Sequence, residues 1–268
     1  MKRVVDCKRH DINTAIRIAL SEHRIGEDLS LVFSGLERLR FYDQVDACIK
    51  EILRDKLKTV EIRDVKTIDR DCFYSFKALR QVICDGVEEI EDITFYCCKK
   101  LEEVKLSEGL KFLGHGAFYG TRIKDIVLPK SLVGIGYECF CDCADLATVI
   151  FSDTGTTPIN IGDDAFRGCK KIEEVVIRSN IGELGAGAFR GCDRLKRVVI
   201  DGACRIIHSG AFCGCPNLED VVINGNVKRI HPYVFSGCDS LKSVFVNGVV
   251  KDIEGEVGEK FRRSLRTN

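Results

Sequence analysis

Ile161-Gly-Asp-Asp-Ala-Phe166-Arg-Gly-Cys169-Lys-Lys-Ile172-Glu-Glu-Val175-Val-Ile177 is one period of a pattern that runs through most of the chain. Its phenylalanine belongs to the series Phe73, Phe95, Phe118, Phe140, Phe166, Phe189, Phe212 and Phe235, spaced by 22, 23, 22, 26, 23, 23 and 23 residues. Five residues before each stands Ile or Leu: Ile68, Ile90, Leu113, Ile135, Ile161, Leu184, Ile207 and Ile230. Six residues after each comes another Leu or Ile, with Ile123 arriving one residue early. A period held in several columns at once marks a solenoid, whose units bury their apolar faces only by stacking on one another.

Three and five residues beyond that Leu or Ile, further apolar residues follow, such as Val175 and Ile177, Val198 and Ile200, or Val221 and Ile223. This Leu-x-x-Leu-x-Leu alternation places two side chains on the inner face of a short strand. Strands in successive turns run the same way and must pair in parallel. Leu57, Val60 and Ile62 form an earlier, partial copy that opens the array.

The run from Ile161 to Ile177, and the one from Leu184 to Ile200 with its Gly-Ala-Phe189-Arg-Gly-Cys192, resemble the BspA-like (Treponema-type) leucine-rich repeat family over residues 57–254. The resemblance implies an α/β leucine-rich-repeat solenoid: a right-handed superhelix with one short parallel strand per repeat of ~23 residues. It also implies a role like that of bacterial and protist surface proteins that bind host or matrix macromolecules.

Composition narrows the classes. The chain has 268 residues, 31% of them charged, with 41 basic and 41 acidic side chains of mixed order. No net field favours nucleic acid or an anionic membrane. No apolar run is long enough to insert in a bilayer, and residues 1–11 are too polar for a secretory leader. The expected location is therefore cytoplasmic, with the cell surface as the alternative if a leader has been removed. No phosphate-binding loop, nucleophile elbow or paired zinc-ligand motif occurs. The chain reads as a non-enzyme that needs no cofactor.

Fifteen cysteines suggest disulfides until their register is read. Cys98, Cys143, Cys169, Cys192, Cys215 and Cys238 each lie three residues after a repeat Phe and so form one column. Stacked side chains have parallel Cβ vectors, which disfavours disulfide geometry. The expected role is a small buried residue whose weak S–H donor meets backbone carbonyls, in a reducing compartment. Cys139-Phe-Cys141-Asp-Cys143, helped by Cys97 and Cys98, is the sharpest metal candidate. Packing explains Cys139 and Cys143, leaving Cys141 to point outward. His208 and His231 share a repeat position and should stack one coil apart as a surface pair.

The strand position between the two inner apolar residues faces outward and reads Glu61, Ile83, Lys105, Val127, Ile150, Val176, Val199, Val222 and Phe245. The last six make an unbroken apolar stripe beside a polar column that includes Glu174 and Arg197, the pattern of an interface core and rim. β-Branched side chains also stabilise stacked sheets, so the stripe has a second, purely structural explanation. Val127, Ile150, Val176, Val199, Val222 and Phe245, flanked by Arg197 and Glu174, are the expected partner-binding residues.

Residues 1–56 are expected to form a helical N-terminal cap, with helices over 11–24 and 45–56, Asp43 as an N-cap, and a degenerate repeat at 33–41. The solenoid spans 57–254, and 255–268 form a C-terminal cap and basic tail. An insertion at 152–160 interrupts the period. The function expected is a protein-interaction scaffold. Its alternatives are a surface adhesin-like protein for host or matrix macromolecules, or a self-assembling structural protein that homodimerises.

Overall fold

The computed structural model describes residues 2–7, 12–21, 28–41, 45–153 and 157–255. Parallel strands stack coil upon coil. Lys2–Cys7, Asp28–Ser34, Leu57–Arg63, Gln81–Asp85 and Glu103–Lys105 form a five-stranded sheet. Asp125–Leu128, Thr148–Phe151, Glu174–Ile177, Arg197–Ile200, Asp220–Ile223 and Ser243–Val246 form a six-stranded sheet. The break between them falls at the coil whose Ile123 comes one residue early.

Each coil also carries a second strand, absent from the sequence reading. These strands form a ten-stranded parallel sheet from Arg38–Leu39 to Val250–Ile253. They are only two to four residues long and end on the Ile or Leu that precedes the Phe, as in Gly134–Ile135 and Ile181–Leu184. Such short runs are too brief to register as a period-2 pattern. The arcs that close the coils are turns, so the solenoid is a β structure. Among the described residues, helices longer than one turn are α1 (Ile12–Ser21) and α2 (Ala47–Lys56).

The N-terminal stretch contains more than helix. Leu31 and Phe33 pair in register with Val60 and Ile62, and Leu39 pairs with Ile68, so the stacked sheets extend ahead of residue 57. The side chain of Asp46 caps α2 by accepting from the Cys48 N–H at 2.9 Å. Asp43, the residue expected in that role, lies outside the described residues, as do 256–268.

The Phe series forms one buried column. Successive rings from Phe73 to Phe235 are stacked with interplanar angles of 3–8° and centroids 5.0–5.7 Å apart. Offset aromatic pairs contribute about 0.5–1.5 kcal/mol each beyond the area they bury. Phe41 abuts Phe73 at 4.8 Å, tilted by 58°, which closes the N-terminal end of the column.

The turns around each Phe are equally regular. Two residues before it the backbone is left-handed in every coil: Asp71, Ile93, Gly116, Glu138, Asp164, Gly187, Gly210 and Tyr233, with φ from +49° to +64°. Two residues after it the same holds from Ser75 to Gly237, with φ from +55° to +72°. Glycine supplies this freedom at Gly187 and Gly191. Gly185 has a different reason: a Cβ there would meet the backbone of Gly162 at 2.4 Å. Coils are in such close contact at this corner that only a residue without a side chain fits.

The cysteine column completes each coil. The thiols of Cys98, Cys143, Cys169, Cys192, Cys215 and Cys238 donate to the carbonyls of Phe73, Phe118, Phe140, Phe166, Phe189 and Phe212, at 3.1–3.4 Å. The Phe amide is used too; that of Phe166, for example, donates to the Ala188 carbonyl at 2.8 Å. The cysteines from Cys48 to Cys238 are free thiols.

Candidate interaction surface

The outward stripe is a ladder held in strict register. Val127 pairs with Ile150, Ile150 with Val176, Val176 with Val199, Val199 with Val222, and Val222 with Phe245. Its exposure is uneven. Val127 and Ile150 are 52% and 50% exposed, whereas Val176, Val222 and Phe245 are half-buried. Val199 is buried at 8%, contrary to its expected exposure. It is flanked in register by Val176 and Val222.

The exposed end of the ladder lies where the sheet is interrupted, next to the coil of Lys105. Beside it Ile150 and Val176 line an open groove of about 500 Å³, with Thr148, Glu174 and Arg178. Arg197 and Glu174 occupy the flanking column and pair with each other at 2.9 Å. Both are about half exposed, so their interaction is screened and contributes well under 1 kcal/mol.

The other candidates resolve into packing. Cys139 fills the small slot before Phe140, and Cys143 donates to the Phe118 carbonyl with Thr121 Oγ1 at 3.2 Å. Burial pushes the Cys143 thiol up to about 12. Cys141 is buried rather than outward, because Arg167 of the following coil lays its Nε against the sulfur at 3.3 Å. His208 and His231 do stack, at 5.1 Å, and each meets a carboxylate: Glu183 Oε2 at 3.2 Å and Glu254 Oε2 at 3.2 Å. Among the described residues, no three His, Cys, Asp or Glu side chains are placed to hold a metal ion. Nor is any helix among them long and apolar enough to cross a membrane.

The ten-stranded sheet carries a surface the sequence reading passed over. Arg205, Lys228 and Lys251 stand one residue beyond Cys204, Val227 and Val250, which pair in register, so three cations face out in one column. Reading the position two residues before Ile207, Ile230 and Ile253 would have revealed it.

These coils match known proteins. The BspA type leucine-rich repeat region matches residues 53–157 and 154–261, in six copies. Among solved structures, the T. pallidum leucine-rich repeat protein is 25% identical, with a TM-score of 0.45 over 68% of this chain and 77% of that one. A leucine-rich repeat protein from Eubacterium ventriosum is 15% identical, with a TM-score of 0.41 over 86% and 92%. A leucine rich cell surface protein from Faecalibacterium prausnitzii is 20% identical, with a TM-score of 0.31 over 79% and 82%. No curated protein matches the chain. The matched residues take in the Phe column, the cysteine column and all but the first coils of the stack, and the chain belongs to the BspA type leucine-rich repeat family.

Proposed function

We propose that this protein is a non-catalytic scaffold that binds a protein partner through the outward face of its six-stranded sheet. One observation carries the reading: Val127 and Ile150, adjacent in register, each leave about half of an apolar side chain in water at the interrupted end of an otherwise close-packed ladder. Val176 and the groove beside it extend this patch, and Glu174 and Arg197 form its polar rim. Val222 and Phe245 are half-buried and contribute at the margin, while Val199, buried in the row between Val176 and Val222, adds little surface. Exposed apolar area of this kind is favourable to cover, at roughly 25 cal/mol per Å².

The test is a triple substitution, Val127→Ser, Ile150→Ser and Val176→Ser, compared with the wild type by crosslinking mass spectrometry from native cells and by melting temperature. Loss of specific crosslinks with the melting temperature retained supports the reading. Retention of every crosslink places binding elsewhere. Light scattering on the purified protein separates binding of a foreign partner from homodimerisation through the same patch.

A further inference from the structure

Several coil-to-coil neighbours at the surface of this solenoid carry opposite charges. Glu88 meets Lys111 at 2.7 Å, Glu102 meets Lys124 at 2.8 Å, Glu173 meets Lys196 at 3.0 Å, and Arg229 meets Asp252 at 3.2 Å. The column of Arg205, Lys228 and Lys251 carries like charges instead. Like charges opposite each other in a sheet are destabilising. Arg205 is relieved by Glu183, whereas neither the Lys228 nor the Lys251 ammonium has an ion pair or hydrogen bond with any described residue. The nearby carboxylates are taken: Glu183 by Arg205 and His208, Asp252 by Arg229, and Glu254 by Arg229 and His231. Like charges left without compensation among the described residues are a mark of a site completed from outside.

The two lysines border an open groove of about 670 Å³, a size suited to a small ligand or a short peptide segment. Val133, Pro158 and Ala203 give it half-buried to exposed apolar walls. Asn180 and Asn226 line it as well, each with its Oδ1 fixed by a backbone amide, Ala203 N–H and Val249 N–H, both at 2.9 Å. Their amide nitrogens remain as donors with no partner among the described residues.

We propose that this groove binds an acidic peptide segment, one carboxylate of which is clamped between Lys228 and Lys251 while neighbouring aliphatic side chains lie against Val133, Pro158 and Ala203. With Glu183, Asp252 and Glu254 paired to Arg205, Arg229 and the two histidines, the free positive charge is confined to two lysines, which matches one carboxylate between apolar side chains rather than a continuous polyanion. The site lies on the ten-stranded sheet and is independent of the Val127 patch.

The probe is the peptide Ac-Val-Leu-Glu-Leu-Val-NH2, titrated by calorimetry into the wild type and into K228E/K251E, beside its glutamine counterpart. The expected result is binding of the glutamate peptide that weakens at least tenfold in the double variant, at least tenfold with glutamine, and progressively with added salt. Equal affinity for the two peptides, unchanged affinity in K228E/K251E, or no heat with millimolar peptide would overturn the proposal. Tighter binding of a heparin fragment than of the peptide through the same lysines would overturn the choice of occupant. K251E alone gives a second readout: set against Lys228, it should raise Tm by about 1–3 °C. A fall in Tm would remove the like-charge argument. The triple Val127 patch variant should bind the peptide as the wild type does.

Discussion

The thiol of Cys215 donates to the carbonyl of Phe189 across a 3.1 Å contact that joins one coil to the next. The same bond recurs at five other levels, each time giving a donor to a carbonyl buried beside the aromatic column. Cys215→Ala therefore removes both the donor and the buried sulfur, and should cost about 1–3 kcal/mol in urea unfolding. Cys215→Ser keeps a donor and should cost less than Ala. If Ser is the more damaging of the two, the hydrogen bond is not what the column supplies.

Thiol reactivity should follow the burial pattern. Among the cysteines from Cys48 to Cys238, Cys48 is exposed and Cys97 and Cys213 are half-buried, whereas the rest are buried. Titration with a thiol reagent should find about three fast groups among these fourteen in the native protein, against a total of fifteen for the whole chain after denaturation. Fast reaction of the whole set would contradict the packed column.

Alkaline pH should unfold the protein steeply. Burial raises the thiols of Cys72, Cys84, Cys98, Cys143 and Cys204 from an ordinary value of 9.0 to about 12. The folded state holds these protons while the unfolded state releases them, so their contribution is complete below pH 9 and is lost as pH rises from 9 to 12. Each thiol removes about 1.4 kcal/mol per pH unit within that window. Equilibrium unfolding at pH 8, 9 and 10 checks this, and a flat profile would contradict it.

Ile93 holds a left-handed backbone at φ +49°, a conformation strongly disfavoured for a β-branched residue. Asp, Gly and Glu occupy the same level in other coils. Ile93→Gly should stabilise by about 1 kcal/mol, less what the half-buried side chain contributes to packing. Gly210→Ala, at φ +64°, should be destabilising by a similar amount. Gly185→Ala should be the worst of the three, since its Cβ would strike the Gly162 backbone. Thermal melts of the three variants rank them.

Within the valine ladder, exposure should decide tolerance. Val127→Lys, at a site half open to water, should stay within about 0.5–1 kcal/mol of the wild type. Val199→Lys must place a charged stem where 8% of the surface is free and should cost about 1–3 kcal/mol. Equal effects would mean that the six positions are equivalent after all.

The sequence by itself determined the solenoid, its period, the Phe and cysteine columns and the stacking of His208 on His231. These follow from identity repeated at a fixed interval: whatever one coil buries, the next must bury, and residues one period apart must touch. It also placed the six outward residues in one row, because a strand alternates its faces whatever surrounds it. Only the tertiary structure decided which of those residues water reaches. Val127 and Val199 sit at the same repeat position, yet one is 52% exposed and the other 8%. The second strand of each coil, the N-terminal strands that extend the stack, and Arg167 folded over Cys141 were likewise settled by neighbours in space. A column repeats what a residue is, but its exposure, its partners and its uncompensated charge, as at Lys228 and Lys251, depend on what the adjoining coils place beside it.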